Sequence, residues 1–337
     1  MFDVAVQNIA PVAHGGGVLN FRLKKPVREG NFMEILTHSP VLRGGSQLLE
    51  RVRGVVLLSG SIRAKGLAGK IGRSVLDLPI DGDRTLAREW QDQVQDLACG
   101  IGAQLPLRVL IDQLSSRPAS FRSDGWVKAS VERDQLELRG TGGVLRDISV
   151  EFDPADYLLV CNGGQIPREP LSEISQVLSD CGGDINIIGH QDGTPSGFML
   201  IRCGCLQHLP KQGFIDLKEQ ALTALSERYS VEVATRKSPT AWPVRTLTDY
   251  IKALRQLQGQ RAGACGGSAF EEDWQASFSL VEKTGTCAAG ARIHDAVVLG
   301  GGEVKAGAVV VRSVICSGAV VRRGEMVVDE VRTMSSK

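Results

Sequence analysis

The feature that most limits what this chain can fold into is a short repeat near its C-terminus. Residues 307–310, Gly-Ala-Val-Val, recur as residues 318–321. Residues 293–298 match residues 310–315 at a constant offset of seventeen, with Ile, Ala, Val and Val opposite Val, Ser, Val and Ile. A repeat of this length predicts stacked coils, because each unit can bury its apolar residues only against the next unit.

The spacing of glycines within the repeat indicates the shape of a coil. Gly324 lies six residues after Gly318, which resembles the hexapeptide pattern of a left-handed parallel β-helix. One apolar residue of each hexad would fill the interior, and glycine would turn the corners. We therefore predict a short left-handed β-helix of two or three coils over residues 291–331. An antiparallel β-tail rich in valine and glycine is the alternative.

The chain before the repeat alternates strand-like and helix-like segments. Residues 55–58 form a short continuous apolar run, which is typical of a buried parallel strand, and they lead into Ser59-Gly60-Ser61. Further apolar patterns predict strands at 107–111, 157–160 and 185–188, and helices at 86–97, 171–178, 217–225 and 250–257. This alternation predicts an α/β fold with a Rossmann-like, mostly parallel sheet.

These patterns divide the chain of 337 residues into four parts, since it exceeds the usual length of one domain. Residues 1–52 show no sustained period and are predicted as an irregular N-terminal extension. Residues 53–258 form the predicted α/β domain. Residues 259–290 begin with a glycine-rich stretch and are predicted as a linker before the β-helix.

Composition excludes several classes of partner. The formal net charge is +1 and no block of Lys or Arg occurs, so we expect binding to neither nucleic acid nor anionic membranes. No apolar run approaches the roughly 20 residues of a membrane span and no signal peptide is evident, so we expect a soluble cytoplasmic protein. Eight cysteines are then expected as reduced thiols, with Cys203 and Cys205 on a half-buried strand rather than at a metal or redox site. The histidines, among them His190 and His208, lack metal-ligand spacing.

Three segments next to predicted strands lie at positions where α/β proteins bind nucleotides, two of them after a strand and one before the strand at 157–160. The first carries Gly60, Ser61 and Arg63 and is closed by Leu78-Pro79-Ile80. The second is Gly-Thr-Gly-Gly at residues 140–143, where small side chains would leave room for a base. A solvated turn is the alternative for this segment. The third is Cys-Asn-Gly-Gly-Gln at residues 161–165.

Together these segments resemble those of sugar-1-phosphate nucleotidyltransferases, the NDP-sugar pyrophosphorylases, which include mannose-1-phosphate guanylyltransferases. The resemblance runs from about residue 55 to the end of the chain. It implies that Arg63, Lys70 and Arg73 are catalytic residues that stabilise the phosphates, and that the nucleotide binds Gly60, Ser61, Gly140, Thr141 and Gly142. It further implies that the sugar contacts Asn162, Gly197 and Glu219. For Asp216 and Glu219, a helix capping box is an equally good explanation.

The sequence departs from the family where the chemistry is concentrated. Val75 stands at or near the position of the family's first-loop lysine, and Gly164 stands at that of its magnesium-binding aspartate. A second family aspartate falls within residues 242–246, which carry no carboxylate but do carry Arg245. The remaining carboxylates that we consider as replacement ligands are Asp147, Asp184, Asp192 and Asp216.

The resemblance leaves two functional hypotheses open. In the first, the protein transfers a nucleotidyl group from an NTP to a sugar 1-phosphate and releases pyrophosphate, with Mg²⁺ as cofactor. In the second, it is a catalytically inactive homologue that binds a sugar nucleotide as a regulatory or structural subunit. By analogy with the family, we expect a homo-oligomer or association with an active homologue. A β-helix acyltransferase fits poorly, because the coils are few and His294 stands alone at their edge.

Overall fold

The computed structural model describes residues 20–22, 48–59, 66–111, 115–122, 127–133, 139–263 and 278–334. Gly60, Ser61, Arg63 and Lys65 lie outside these ranges, as do most of the predicted extension and part of the predicted linker. In the described part of the chain, no helix is both long and apolar enough to cross a membrane.

The first part of the chain alternates strands and helices, as predicted. The strands are β1 Asn20–Arg22, β2 Val52–Leu58, β3 Pro79–Asp81, β4 Arg84–Thr85, β5 Leu107–Ile111, β6 Ala129–Arg133, β7 Tyr157–Asn162, β8 Gln165–Pro167, β9 Ile185–His190, β10 Pro195–Arg202, β11 Val231–Arg236 and β12 Ala241–Pro243. The helices are α1 Leu67–Ile71, α2 Leu86–Ile101, α3 Gly140–Ser149, α4 Leu171–Cys181, α5 Cys203–Gln207, α6 Leu222–Ser226 and α7 Leu247–Gly263.

Eight of these strands form one mostly parallel sheet, in the order β1-β11-β9-β10-β7-β2-β5-β6. Strand β10 is antiparallel to both of its neighbours, β9 and β7. At one edge, β1 is antiparallel to β11, so residues 20–22 of the predicted irregular extension belong to the sheet. The parallel strands β2, β5 and β7 therefore end at the same side of the sheet, which we call the carboxyl edge.

Helices cover both faces of the sheet, which explains why its central strands are continuous apolar runs. On β2, Val55 and Leu57 face a core that contains Trp90 of α2, whereas Val56 faces a second core that contains Leu145 of α3. Burying each such side chain contributes roughly 1.5–3 kcal/mol. The unbroken apolar pattern of residues 55–58 thus matches a strand that is buried on both faces of the sheet.

Three local predictions differ from the structure. The segment with Cys203 and Cys205 was predicted as a half-buried strand, but it forms the helix α5 and both residues are fully buried. The predicted helix at 217–225 is interrupted, since residues Leu217–Ala221 form a π-helical turn before α6. Finally, the helical segment between the strands at 157–160 and 185–188 predicts that these two strands pair in parallel. They are parallel in direction but not adjacent, because the reversed β10 lies between them.

The C-terminal part consists of short parallel strands in three stacks. These strands are β13 Ser279–Val281, β14 Thr286–Cys287, β15 Arg292–His294, β16 Ala296–Val298, β17 Glu303–Val304, β18 Val309–Val311, β19 Val314–Ile315, β20 Val320–Val321, β21 Met326–Val328 and β22 Val331–Arg332. The stacks are β13-β16-β19-β22, β14-β17-β20 and β15-β18-β21, and every pairing is parallel. The antiparallel alternative is therefore wrong, and the arrangement is compatible with a β-helix.

The offset of seventeen residues is the step between stacked strands. Arg292 pairs with Val309, and Val309 pairs with Met326. The two Gly-Ala-Val-Val segments, in contrast, lead into strands of different stacks. The stacks also begin at residue 279, inside the predicted linker, where the first strand buries Leu280. Gly290 of this first coil lies seventeen residues before Gly307, so the glycine pattern extends into the segment that was predicted as a linker.

The C-terminal stacks pack directly on the α/β part. Phe278 and Leu280 belong to the same hydrophobic core as Trp90. Two ion pairs support this contact, one between Arg73 and Glu282 and one between Arg255 and Asp295.

Candidate functional site

The carboxyl edge brings the ends of β2, β5 and β7 together. The amide of Ser59, just after β2, donates to the carbonyl of Leu110. The amide of Gly163, just after β7, donates to the carbonyl of Leu58 at 3.0 Å. Ser59 is buried, and its hydroxyl has no hydrogen-bond partner among the described residues. In open α/β sheets ligands bind at this edge, so we place the candidate site here.

The turn after β7 is held rigidly on three sides. The side-chain oxygen of Asn162 accepts a hydrogen bond from the amide of Gly164 at 3.0 Å. The indole nitrogen of the buried Trp90 donates to the carbonyl of Gly163 at 3.2 Å. The amide of Val244 donates to the carbonyl of Gly164 at 2.9 Å. A side chain at position 164 would nevertheless have room, because the nearest atom to a Cβ there is an oxygen of Asn162 at 3.5 Å.

The structure brings two of the predicted sugar-binding residues together. Gly197 has a φ of +84°, and a Cβ at this position would lie 2.9 Å from the Cβ of Asn162 and 3.1 Å from the amide oxygen of Gln165. Gln165 is only 6 % exposed, and its amide nitrogen has no partner in the described structure. The sequence reasoning missed Gln165 as a site residue, although it is a polar residue that starts a buried strand.

Glu219, the third predicted sugar-binding residue, is exposed on the π-helical turn. The side chain of Asp216 caps that turn by accepting from the amides of Lys218 and Glu219. The helix-capping explanation of this pair is confirmed for Asp216.

The Gly-Thr-Gly-Gly segment is packed against the chain itself. A Cβ on Gly140 would lie 2.5 Å from the carbonyl oxygen of Ile215, and one on Gly142 would lie 3.0 Å from the same oxygen. The amide of Gly142 donates to that oxygen at 2.9 Å, and the hydroxyl of Thr141 accepts from the amide of Leu217. Small residues are needed here because another segment occupies the adjacent space. The solvated-turn alternative is wrong, since Gly142 is buried at the start of α3.

The two described residues that were predicted to contact phosphates differ in their surroundings. The guanidinium of Arg73 donates to Glu282 at 2.6 and 3.2 Å and to the carbonyl of Asp77. These bonds join the α/β part to the C-terminal stacks. Lys70 is exposed in the last turn of α1.

Cationic residues occupy the region where the resemblance places carboxylates. Strand β12 runs antiparallel to β8 with Pro243 opposite Gln165, and Arg245 follows beside the glycine turn. The carbonyl of Arg245 accepts from the amide of Leu67, the first residue of α1. The charge of Arg245 also acts on Lys218. Burial, followed by this like charge, lowers the pKa of Lys218, whereas Asp216 opposes the shift.

The four carboxylates considered as replacement ligands have other partners. Asp147 binds Arg139 and Arg146, Asp184 binds Arg202 and Ser230, Asp192 binds Thr194, and Asp216 binds the backbone amides of its own turn. In the described ranges, no group of three or more His, Cys, Asp or Glu side chains could hold a metal ion. At the two positions where the resemblance places metal-binding aspartates, Gly164 carries no side-chain oxygen and residues 242–246 carry no carboxylate.

Polar groups at the end of β9 extend the site on the other side of Gly197. His190 ends this strand, and its Nδ1 atom is buried without a partner among the described residues. Burial lowers the pKa of His190, and the charges of Asp192 and Glu169 oppose that effect. Glu169 itself forms an ion pair with Arg236 at the end of β11.

A depression of about 250 Å³ lies at the opposite side of the sheet, between the starts of β5 and β6. Its main charges are already paired, because Arg108 binds both Glu132 and Glu151. We therefore place the candidate site at the carboxyl edge, where buried donors are left without partners.

No family model matches the sequence, and no curated protein matches it significantly.

Proposed function

We propose that this protein binds a sugar nucleotide at the carboxyl edge and does not transfer the nucleotidyl group. In this proposal it is a noncatalytic homologue of the sugar-1-phosphate nucleotidyltransferases, with a left-handed β-helix at its C-terminus. The mostly parallel sheet, in which only β1 and β10 of the described strands are reversed, supports the first assignment. The three parallel stacks with a common step of seventeen residues support the second.

One observation carries the proposal. The two positions that would hold metal-binding carboxylates are Gly164 and the segment that contains Arg245, and these lie side by side. Nucleotidyl transfer by the family's route uses a metal ion to bridge the reacting phosphates. A cation is repelled by Arg245 and finds no side-chain ligand at Gly164, which supports a site that does not carry out metal-assisted transfer.

In this proposal, buried polar side chains at the carboxyl edge bind the sugar, which is the neutral part of the ligand. The amide nitrogen of Gln165, beside Gly197, and the hydroxyl of Ser59, beside Gly163, are buried without a partner among the described residues, so a ligand reaches them only if the site opens. Leaving such a group buried without a hydrogen bond costs about 1–3 kcal/mol. A sugar hydroxyl that accepts from these donors would recover this energy, so we assign them to ligand binding.

The proposal is tested by calorimetry and a turnover assay on the full chain. We expect at least one NDP-sugar to bind, and no pyrophosphate to be released from NTPs and sugar 1-phosphates in the presence of Mg²⁺. Release of pyrophosphate would establish the transferase hypothesis instead. If no nucleotide or NDP-sugar binds, the protein is a scaffold and the proposal fails.

A matched pair of variants localises the binding. Gln165→Leu removes the unpaired buried amide, so we expect it to weaken ligand binding while thermal stability stays constant or increases. Gln176→Leu makes the same change on the exposed face of α4 and should leave affinity unchanged. Equal affinities for the two variants would exclude Gln165 from the site.

A further inference from the structure

Two of the three C-terminal stacks show how the outward-facing side chains relate to what covers them. In β13-β16-β19-β22, the register places Leu280, Val297 and Val314 in one column, and all three belong to the hydrophobic core shared with the α/β part. In β14-β17-β20, the outward column begins with Thr286 and Glu303, which are solvent-accessible. An aliphatic outer column thus accompanies a covered face, and a polar one accompanies an exposed face.

The third stack, β15-β18-β21, combines an aliphatic outer face with exposure. The register places Val309 beside Met326 and Val311 beside Val328, while the residues between them fill the interior of the coils. Met326 is 67 % exposed and Val328 is 41 % exposed. We call these four side chains the outer patch. Aliphatic side chains gathered on one exposed sheet face are typical of a protein–protein contact.

The charges around the outer patch are complementary to those of a second copy of the chain. Arg292 lies on β15, at one side of the patch, where it is exposed and forms no ion pair with a described residue. At the other side, Glu325 and Asp329 flank β21 and contact Arg332 and Arg312. Both carboxylates remain accessible to solvent, and each can accept more than one hydrogen bond.

A two-fold axis along the strands makes this face self-complementary. Such an axis reverses the order of the coils, so β18 of one copy packs on β21 of the other and valine contacts methionine. The same operation brings Arg292 of each copy beside the acidic ends of β21 in the other. The contact uses the same face twice and therefore closes as a dimer. The formal net charge of +1 gives little repulsion between the copies.

We infer that the outer patch binds the outer patch of a second copy of this chain, across a two-fold axis that runs along the strands. The inference concerns assembly and does not rest on the proposed function. Burying an aliphatic side chain completely contributes roughly 1.5–3 kcal/mol, so the exposed parts of Met326 and Val328 supply a driving force in each copy.

The test is sedimentation equilibrium of the full chain over a range of concentrations. We expect the wild type to dimerise. Val328→Lys places a charge in the outer patch and should weaken dimerisation at least about tenfold, which is about 1.4 kcal/mol. The matched control is Val320→Lys, because Val320 is 45 % exposed on the neighbouring stack and the same substitution there should leave the dimerisation constant unchanged.

The charge contact has its own variant. Arg292→Glu should weaken dimerisation, and the difference from wild type should shrink as the salt concentration rises. The inference is overturned if the wild type is a monomer throughout, or if Val328→Lys and Val320→Lys dimerise equally. A monomeric wild type in which Val328→Lys alone lowers the melting temperature would show that the chain covers its own patch. Calorimetry with NDP-sugars should give the same affinity for Val328→Lys and wild type, so a failure of the proposed function is seen separately.

Discussion

Replacing Gly140 with alanine tests whether the glycines of α3 serve packing or ligand binding. Gly140 has a φ of +66°, and the new Cβ would lie 2.5 Å from the oxygen and 2.8 Å from the carbon of the Ile215 carbonyl. The left-handed backbone costs an alanine roughly 1–2 kcal/mol. Relieving the clash requires the backbone at Ile215 to move. This movement weakens two hydrogen bonds, from the amide of Gly142 to the carbonyl of Ile215 and from the amide of Ile215 to the carbonyl of Arg139, each worth about 1 kcal/mol. We expect Gly140→Ala to lose about 2–4 kcal/mol of folding stability.

The matched control is Gly164→Ala in the other glycine segment. Its Cβ would have no neighbour closer than 3.5 Å, and its φ is not positive. Both substitutions reduce the conformational freedom of the unfolded chain equally, which by itself stabilises the protein by about 0.4–1 kcal/mol. The difference between the two variants therefore measures native-state strain at Gly140 alone.

The assay is urea unfolding followed by circular dichroism, together with calorimetry of ligand binding. We expect a clearly lower midpoint for Gly140→Ala and an unchanged or higher midpoint for Gly164→Ala. The packing argument is refuted if the two midpoints agree while Gly140→Ala alone abolishes binding. That result would restore the base-binding role that the family resemblance implies.

Two further predictions concern arginine contacts. Arg73→Gln removes the bidentate pair with Glu282, so stability should fall by about 1–3 kcal/mol while NDP-sugar affinity stays at the wild-type level; a loss of affinity would return Arg73 to the site. For Asp147, burial alone would raise the pKa, but bonds and charges from Arg139 and Arg146 outweigh it and lower the pKa. A carboxyl group whose pKa is lower in the folded state than in the unfolded state stabilises the fold at pH values above its unfolded-state pKa. This stabilisation is lost as the pH falls through the folded-state pKa. The stability difference between wild type and Asp147→Asn, measured by urea unfolding, should thus be constant above about pH 5 and shrink below about pH 4; a difference that persists in acid would contradict this.

The parts of the fold that could be predicted depend on local periodicity. The apolar run at 55–58 requires burial on both faces, and the offset of seventeen requires equivalent residues to stack. The position of β10 could not be predicted in this way, because strand order depends on pairing between distant segments. The helix at Cys203 and Cys205 was missed because burial of short apolar segments suits a strand or a helix equally.

Candidate site residues could be predicted where the backbone conformation requires a particular residue type, such as glycine. Gly197 and Asn162 were linked by the resemblance, and the structure explains the glycine by a positive φ and a close approach. Gln165 was not predicted as a candidate site residue, because a single polar residue in a motif carries no signal of its partners. Arg73 was assigned to phosphates from its position in sequence, but Glu282, its partner, lies 209 residues away.

The charges around Gly164 also bear on how a metal site can be lost. A carboxylate placed at Gly164 alone would lie next to the segment that contains Arg245, whose positive charge opposes the binding of a metal ion. Removing this charge alone would leave no carboxylate ligand for a metal at either position. We therefore expect that neither single change creates a metal site, and that Gly164→Asp combined with Arg245→Gln is the smallest change that could do so.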